Sequence, residues 1–109
     1  MKIKILTVGV PTRDGTIYPR QVIEEALAKS EEVISERGMP VRAGSSNSSR
    51  NVMGTVASLA LEGDELMAEI DIDLSRTEFT IGGYIAKVRD GDRLVATECL
   101  IGSVFTEID

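Results

Sequence analysis

One segment constrains what this chain can fold into more than any other. Between Pro19 and Gly38 the apolar residues recur with helical spacing, and almost everything outside that segment alternates like strands. Val22, Ile23, Ala26, Leu27, Val33 and Ile34 fall on one side at the 3.6-residue period, while Glu24, Glu25, Lys29, Glu31, Glu32 and Glu36 cover the other faces. Pro19 suits a helix start, where its missing N–H costs no hydrogen bond. Gly38 is a natural residue just past the last turn, and Pro40 keeps the helix from resuming. The pattern predicts one principal helix from Arg20 to Arg37. Its apolar side must then be buried against a sheet.

The rest of the chain supplies that sheet. Lys2 to Val10 reads as a first strand, followed by Pro11-Thr12-Arg13-Asp14-Gly15, whose Asp-Gly pair marks a turn. Thr16-Ile17-Tyr18 is a short extended piece, and Val41-Arg42-Ala43 a short strand. The small polar run from Gly44 to Asn51 predicts an exposed, mobile loop. A hairpin follows, with Val52 to Leu61 and Glu65 to Asp73 around Glu62-Gly63-Asp64. In its second arm Leu66, Ala68, Ile70 and Ile72 alternate with Glu65, Met67, Glu69, Asp71 and Asp73, which predicts one core face and one acidic outer face. Leu74 to Ile81 stays open between a short helix and a loop, and Gly82-Gly83 is expected to bend the chain. Tyr84 to Val88 and Arg93 to Thr106 form a second hairpin around Asp90-Gly91-Asp92. The expectation is an α+β, mainly β domain spanning 1–109: a small β-barrel or twisted antiparallel sheet with one helix. There is no internal repeat or linker, and Met1 together with a plausible final strand suggests a complete chain.

Composition narrows the functional classes. The 109 residues are 42% hydrophobic and 28% charged, which suits a globular core rather than a disordered chain. A net charge of -6 without a Lys/Arg cluster lacks the footprint of a nucleic-acid binder and the basic face that favours anionic membranes. No apolar run approaches the roughly 20 residues of a membrane span. The alternating N-terminus reads as a strand rather than a secretory leader, so the expected compartment is the cytoplasm or a virion assembled there. The single cysteine, Cys99, cannot form an intramolecular disulfide and sits in the apolar run Cys99-Leu100-Ile101, where a buried inert thiol is expected.

Other constellations have plain readings. Asp64, Glu69, Asp71 and Asp73 lack the ligand order of a Ca²⁺ loop and read as a solvated strand face. The run Ser45 to Ser49 lacks the pattern of a phosphate cradle. Tyr18, Phe79, Tyr84 and Phe105 are too few for a base-stacking platform and must partly anchor the core. No metal or cofactor is expected.

The order of elements resembles that of bacteriophage prohead (capsid-maturation) serine proteases. Asp14-Gly15-Thr16-Ile17-Tyr18-Pro19 before an amphipathic helix is similar to their opening. Pro40-Val41, a loop, Met53-Gly54-Thr55-Val56 and then Glu62-Gly63-Asp64-Glu65-Leu66 resemble their central hairpin, and Leu100 to Thr106 their closing strand. The resemblance implies a compact β-barrel flanked by helices and a Ser nucleophile activated by His. That His belongs just after the Pro-Val strand, where Ala43-Gly44-Ser45-Ser46 stands, and the chain contains no His at all. The nucleophile belongs around Gly82-Gly83-Tyr84, and Phe79 to Tyr84 contains no Ser. An unactivated hydroxyl is a poor nucleophile at neutral pH, so no catalytic residue is assigned. A Ser/Lys dyad built on Lys87 would need a hydroxyl within hydrogen-bond reach.

The resemblance without its catalytic pair implies a capsid decoration or cement protein. Its partners would be the major capsid protein or other head proteins, with the chain oligomeric or lattice-bound in the virion. Candidate contacts are Lys2 and Lys4 on the first strand, Ser46, Asn47 and Ser48 in the loop, and Glu65, Glu69 and Asp71 on the acidic arm. The alternatives are an active or partner-completed protease, and a scaffold module that keeps a peptide groove and is lost on maturation.

Overall fold

The computed structural model describes residues 2–43, 52–72 and 79–106. The helix, α1, spans Arg20–Glu36. Pro19 is its N-cap, with φ -65 and ψ 150, and the Pro19 carbonyl accepts from the Ile23 N–H at 3.2 Å. Gly38, with φ 73, takes the left-handed conformation that ends the last turn. Val22, Ile23 and Ala26 are buried, as the periodicity requires. Ser30 is buried too, because its Oγ returns to the Leu27 carbonyl at 2.9 Å and so brings its own hydrogen bond into the core.

Among the described residues seven strands make one sheet: β1 (Lys2–Thr7), β2 (Thr16–Ile17), β3 (Met39–Ala43), β4 (Val52–Glu62), β5 (Glu65–Ile72), β6 (Phe79–Asp90) and β7 (Arg93–Thr106). Their hydrogen-bonded order is β1-β5-β4-β3-β7-β2, with β6 on the other edge of β7. Along one edge β7 pairs with β6 throughout; along the other it takes β2 at Leu94 and Val95 and β3 at Val104–Thr106, both parallel. The sheet is therefore mixed where the sequence suggested an antiparallel one. It curls into a half-barrel, and α1 packs on β7 and β4. Pro40 sits in β3 where only β4 is its neighbour, so its missing N–H leaves no gap in the β7 ladder.

Inside the curl lie Ile23, Met39, Val41, Leu66, Ile70 and Val104, each essentially inaccessible. Cutting one of the larger of these to Ala costs about 2–5 kcal/mol. In β5, Leu66, Ala68 and Ile70 are buried while Glu69 and Asp71 are exposed, so the predicted alternation holds.

Three boundaries differ from the sequence expectation. β1 ends at Thr7, because Gly9 adopts φ 78 and the Val10 N–H turns back to the Thr7 carbonyl. Met39 and Pro40 already belong to β3. Residues 79–81, left open between helix and loop, begin β6, and Gly82-Gly83 does not end that strand: the ladder to β7 slips by one residue there, a bulge inside a continuous strand. The Ser-rich loop lies outside the described residues.

Candidate functional site

The strand that leads into the stretch where the protease resemblance puts a base, and the stretch where it puts a nucleophile, flank β7; of the base stretch only Ala43 is among the described residues. Val41, Arg42 and Ala43 pair with Val104, Phe105 and Thr106 on one side. Phe79, Thr80, Ile81 and Gly82 pair with Thr106, Phe105, Val104 and Ser103 on the other. Arg42, Phe105 and Thr80 thus form one row across three strands. A Cβ added at Gly82 would lie 2.6 Å from Ser103 Oγ and 3.0 Å from the Phe105 ring. At Gly83, with φ 142, it would lie 2.0 Å from the Leu100 carbonyl oxygen. At Gly83 backbone atoms leave no room for a side chain, whereas at Gly82 the Ser103 hydroxyl and the Phe105 ring fill the space and would have to shift. Ser103 itself is buried.

The half-barrel opens beside this row. Among the described residues β1 is bonded only to β5 and β6 only to β7, so each presents an unpaired edge. Between them lies a cleft of about 890 Å³, walled by Lys4–Thr7 of β1, Phe79–Ile81 of β6 and the loop from Val10 to Asp14. Leu6, Tyr18, Phe79 and Ile81 give it an apolar lining. It continues into a second, more polar space of about 500 Å³ around Arg42, Thr80, Gly82, Gly83 and Ser103.

Asp14 ties the loop wall in place. Its Oδ1 accepts from Thr12 Oγ1 at 2.5 Å and from the Thr16 N–H at 3.1 Å, and its Oδ2 accepts from Lys87 Nζ at 3.1 Å. The Thr12 hydroxyl first, then the Thr16 amide and Lys87, hold its carboxyl well below the usual carboxylate range. Burial pushes the Tyr18 phenol up to about 12, with Cys99 and Asp14 nearby adding to the shift. Cys99, 2% exposed, is pushed up to about 11 by burial. At neutral pH Asp14 and Tyr18, which line the cleft, are a fixed anion and a neutral phenol, and Cys99, outside its lining, is a neutral thiol.

Of the contacts expected from sequence, Lys4 lines the cleft, and the others among the described residues lie outside its lining. Lys2 pairs with Glu62, and Lys4 with Glu65 at 3.7 Å, while Arg20 bridges to Asp64 and the Gly63 carbonyl. Together these pin the β4–β5 turn to β1 and the start of α1. Glu69 and Asp71 are exposed on the outer face of β5. Ser46, Asn47 and Ser48 lie outside the described residues. Lys87 reaches a carboxylate rather than a hydroxyl, so the Ser/Lys dyad is not formed in this arrangement. No three His, Cys, Asp or Glu side chains gather as metal ligands among the described residues. Of the residues that do shape the cleft, Asp14 carried a turn signal, whereas Arg42 and Ser103 carry no local sequence signal and are brought to the cleft by the pairing of β3 and β6 with β7.

No family model matches the sequence, and no curated protein matches it either. A solved structure does: the capsid assembly protease gp21 of bacteriophage T4, with a TM-score of 0.63 over 97% of this chain and 80% of that one, at 10% identity. At that identity the match speaks to architecture alone. The chain has a capsid-protease-like α+β fold, mainly β, with one helix against a curled sheet.

Proposed function

We propose that this chain is a phage head protein that keeps a capsid-protease-like fold and works by binding rather than cutting. The observation that carries this is the absence of any His to act as a base, together with the crowding at Gly82 and Gly83, two of the three positions around which the resemblance places the nucleophile. Its role is that of a decoration or cement protein. Its partner is the major capsid protein or another head protein, met as an oligomer or on the capsid lattice, so the chain ends in the virion after assembly in the host cytoplasm. The contact surface we assign to that partner is the cleft between β1 and β6. Unpaired strand edges offer backbone donors and acceptors to an added strand, and an apolar lining takes alternate side chains.

Quantitative mass spectrometry of purified mature virions from the source phage tests the role directly. A copy number comparable to the major capsid protein is expected. Absence from the virion sinks the decoration role, and presence in proheads alone would instead support an assembly module lost on maturation, a reading the cleft also favours. Labelling of the purified chain by a fluorophosphonate probe would overturn the non-proteolytic reading.

A further inference from the structure

We infer that a second copy of this chain pairs with the open edge of β6, antiparallel and about a two-fold axis at Ala86, so that two half-barrels share one continuous sheet. This goes beyond the head-protein reading by naming the surface and register through which copies meet, and it holds whether or not the chain ends in a virion.

Three observations lead there. The first is where exposed apolar side chains gather. Among the described residues, Tyr84 is 56% exposed and Val88 52%, and both stand on β6; Leu100, beside them on β7, is exposed too. Tyr84 lies opposite Leu100, and Val88 opposite Val95. The alternation of β6 puts Tyr84, Ala86 and Val88 on its outer face, away from the buried Phe79 and Ile81.

The second is the edge itself. Among the described residues β6 is bonded only to β7. Both slips in that ladder leave their extra residue, Gly102 and Thr97, on β7, so β6 keeps a regular alternation from Tyr84 to Asp90. Its free edge there offers an uninterrupted row of backbone donors and acceptors. Exposed edges are commonly guarded by charged side chains, as Lys2 and Lys4 guard β1. On β6 the outer face carries Tyr84, Ala86 and Val88 instead, and Lys87, on the other face, is bridged to Asp14.

The third is register, and it selects a second copy as the occupant. A two-fold axis normal to the sheet keeps outer faces together only if it passes through a residue, and within the regular stretch the central choices are Ile85, Ala86, Lys87 and Val88. An axis at Lys87 sets that residue against itself, and one at Val88 sets Lys87 against Arg89; both oppose like charges. An axis at Ile85 leaves Val88 against Gly82, which has no side chain to meet it. An axis at Ala86 sets Tyr84 against Val88 of the second copy, an aromatic and β-branched pair, and it does so twice, as a self-complementary interface requires. Arg89 and Asp90 then come to Gly83 and Gly82, where no side chain obstructs them. Leu100 and Tyr84 of one copy and Val88 and Val95 of the other form one apolar row across four strands.

The test is sedimentation equilibrium of the purified full chain, which is expected at twice the mass of one chain. Combining Tyr84→Lys with Val88→Lys opposes lysines across the seam and should weaken association about tenfold or more. Combining Tyr84→Lys with Val88→Glu opposes a lysine and a glutamate in this register and should recover most of that loss. Val52→Lys, at an exposed apolar residue of β4, should leave association unchanged. Circular dichroism verifies that all variants fold. Ala86→Cys in a Cys99→Val background should give a covalent dimer on mild oxidation, because residues directly opposite in an antiparallel pair have Cα atoms about 4.5–5.5 Å apart, within disulfide reach. A monomeric chain overturns the inference, as does an assembly larger than a pair or a dimer that tolerates both lysines. A dimer that the charge swap does not recover and Ala86→Cys does not cross-link overturns the register. None of these readouts involves a virion, so the head-protein reading and this pairing can fail separately.

Discussion

Replacing Gly83 by Ala adds a single methyl group, and the structure sets what that methyl meets. The new Cβ would lie 2.0 Å from the Leu100 oxygen, 2.9 Å from the Gly102 nitrogen and 3.1 Å from the Leu100 carbonyl carbon, all backbone atoms. No rotamer change relieves such contacts. Either β6 moves away from β7 or the residue leaves φ 142, and both break the bulge that joins Gly83 to Ile101. Forcing a side chain into that backbone region costs about 1–3 kcal/mol. Losing one or two ladder hydrogen bonds adds roughly 0.5–1.5 kcal/mol each. The expected total is about 3–5 kcal/mol, a large share of the roughly 5–15 kcal/mol that holds a domain together. With a urea slope of about 1.5 kcal/mol per molar, the midpoint should fall by roughly 2–3 M.

Two neighbours serve as controls in the same titration. Gly102→Ala places its Cβ no nearer than 4.0 Å from the Gly82 oxygen, so it should cost little. Gly82→Ala meets the Ser103 hydroxyl and the Phe105 ring, which are side chains, and should cost about 1–3 kcal/mol. Adding Ser103→Ala should recover about 1 kcal/mol of that, read as the coupling in a double-mutant cycle, and should recover nothing for Gly83→Ala. If Gly83→Ala costs less than about 1 kcal/mol, or no more than Gly102→Ala, the close approach of β6 to β7 is refuted. The claim that this position cannot carry a nucleophile falls with it.

Asp14→Asn removes the charge that holds the cleft loop to Lys87. Because Asp14 is largely exposed, solvent screening limits the expected loss to about 0.5–1 kcal/mol at neutral pH. Its lowered folded pKa means this contribution is complete above the unfolded carboxylate value of about 4 and is lost as the pH falls below it. Thermal melts of the two proteins should therefore converge under acid, and a difference that persists there would contradict the assignment. Cys99 gives the opposite sign. Raised from 9.0 to about 11, it contributes stability that is full below pH 9 and lost as the pH rises through about 11. Cys99→Val should flatten that alkaline decline, and the native thiol should stay unreactive to a disulfide reagent until the protein unfolds. Charge reversal at Glu69 and Asp71, on the exposed face of β5, should weaken capsid binding by purified chain if the acidic arm takes part, and unchanged binding confines the contact to the cleft.

What could be read from the sequence and what could not divides along the range of the interactions. The helix from Arg20 was legible because Pro19, the 3.6-residue period and Gly38 all act within a few residues of one another, and the hairpins because Glu62-Gly63-Asp64-Glu65 and Asp90-Gly91-Asp92-Arg93 make local turns. The parallel pairings of β2 and β3 with β7 join residues about sixty to eighty apart, and no local pattern announces them. The same distinction governs the site. The absence of His was visible by counting, but the glycine pair was read as a bend when its cause is the nearness of Leu100, a neighbour only after β6 and β7 pair. On the non-proteolytic reading proposed above, this separation also accounts for how the fold could persist while the row beside the cleft changes. The residues that hold the half-barrel together, such as Ile23, Met39, Leu66 and Val104, are buried inside the curl, while the row from Arg42 to Thr80 borders the open cleft. Substitution in that row changes what the cleft recognises at little cost to the core, except at Gly82 and Gly83, where recognition surface and backbone packing are the same atoms.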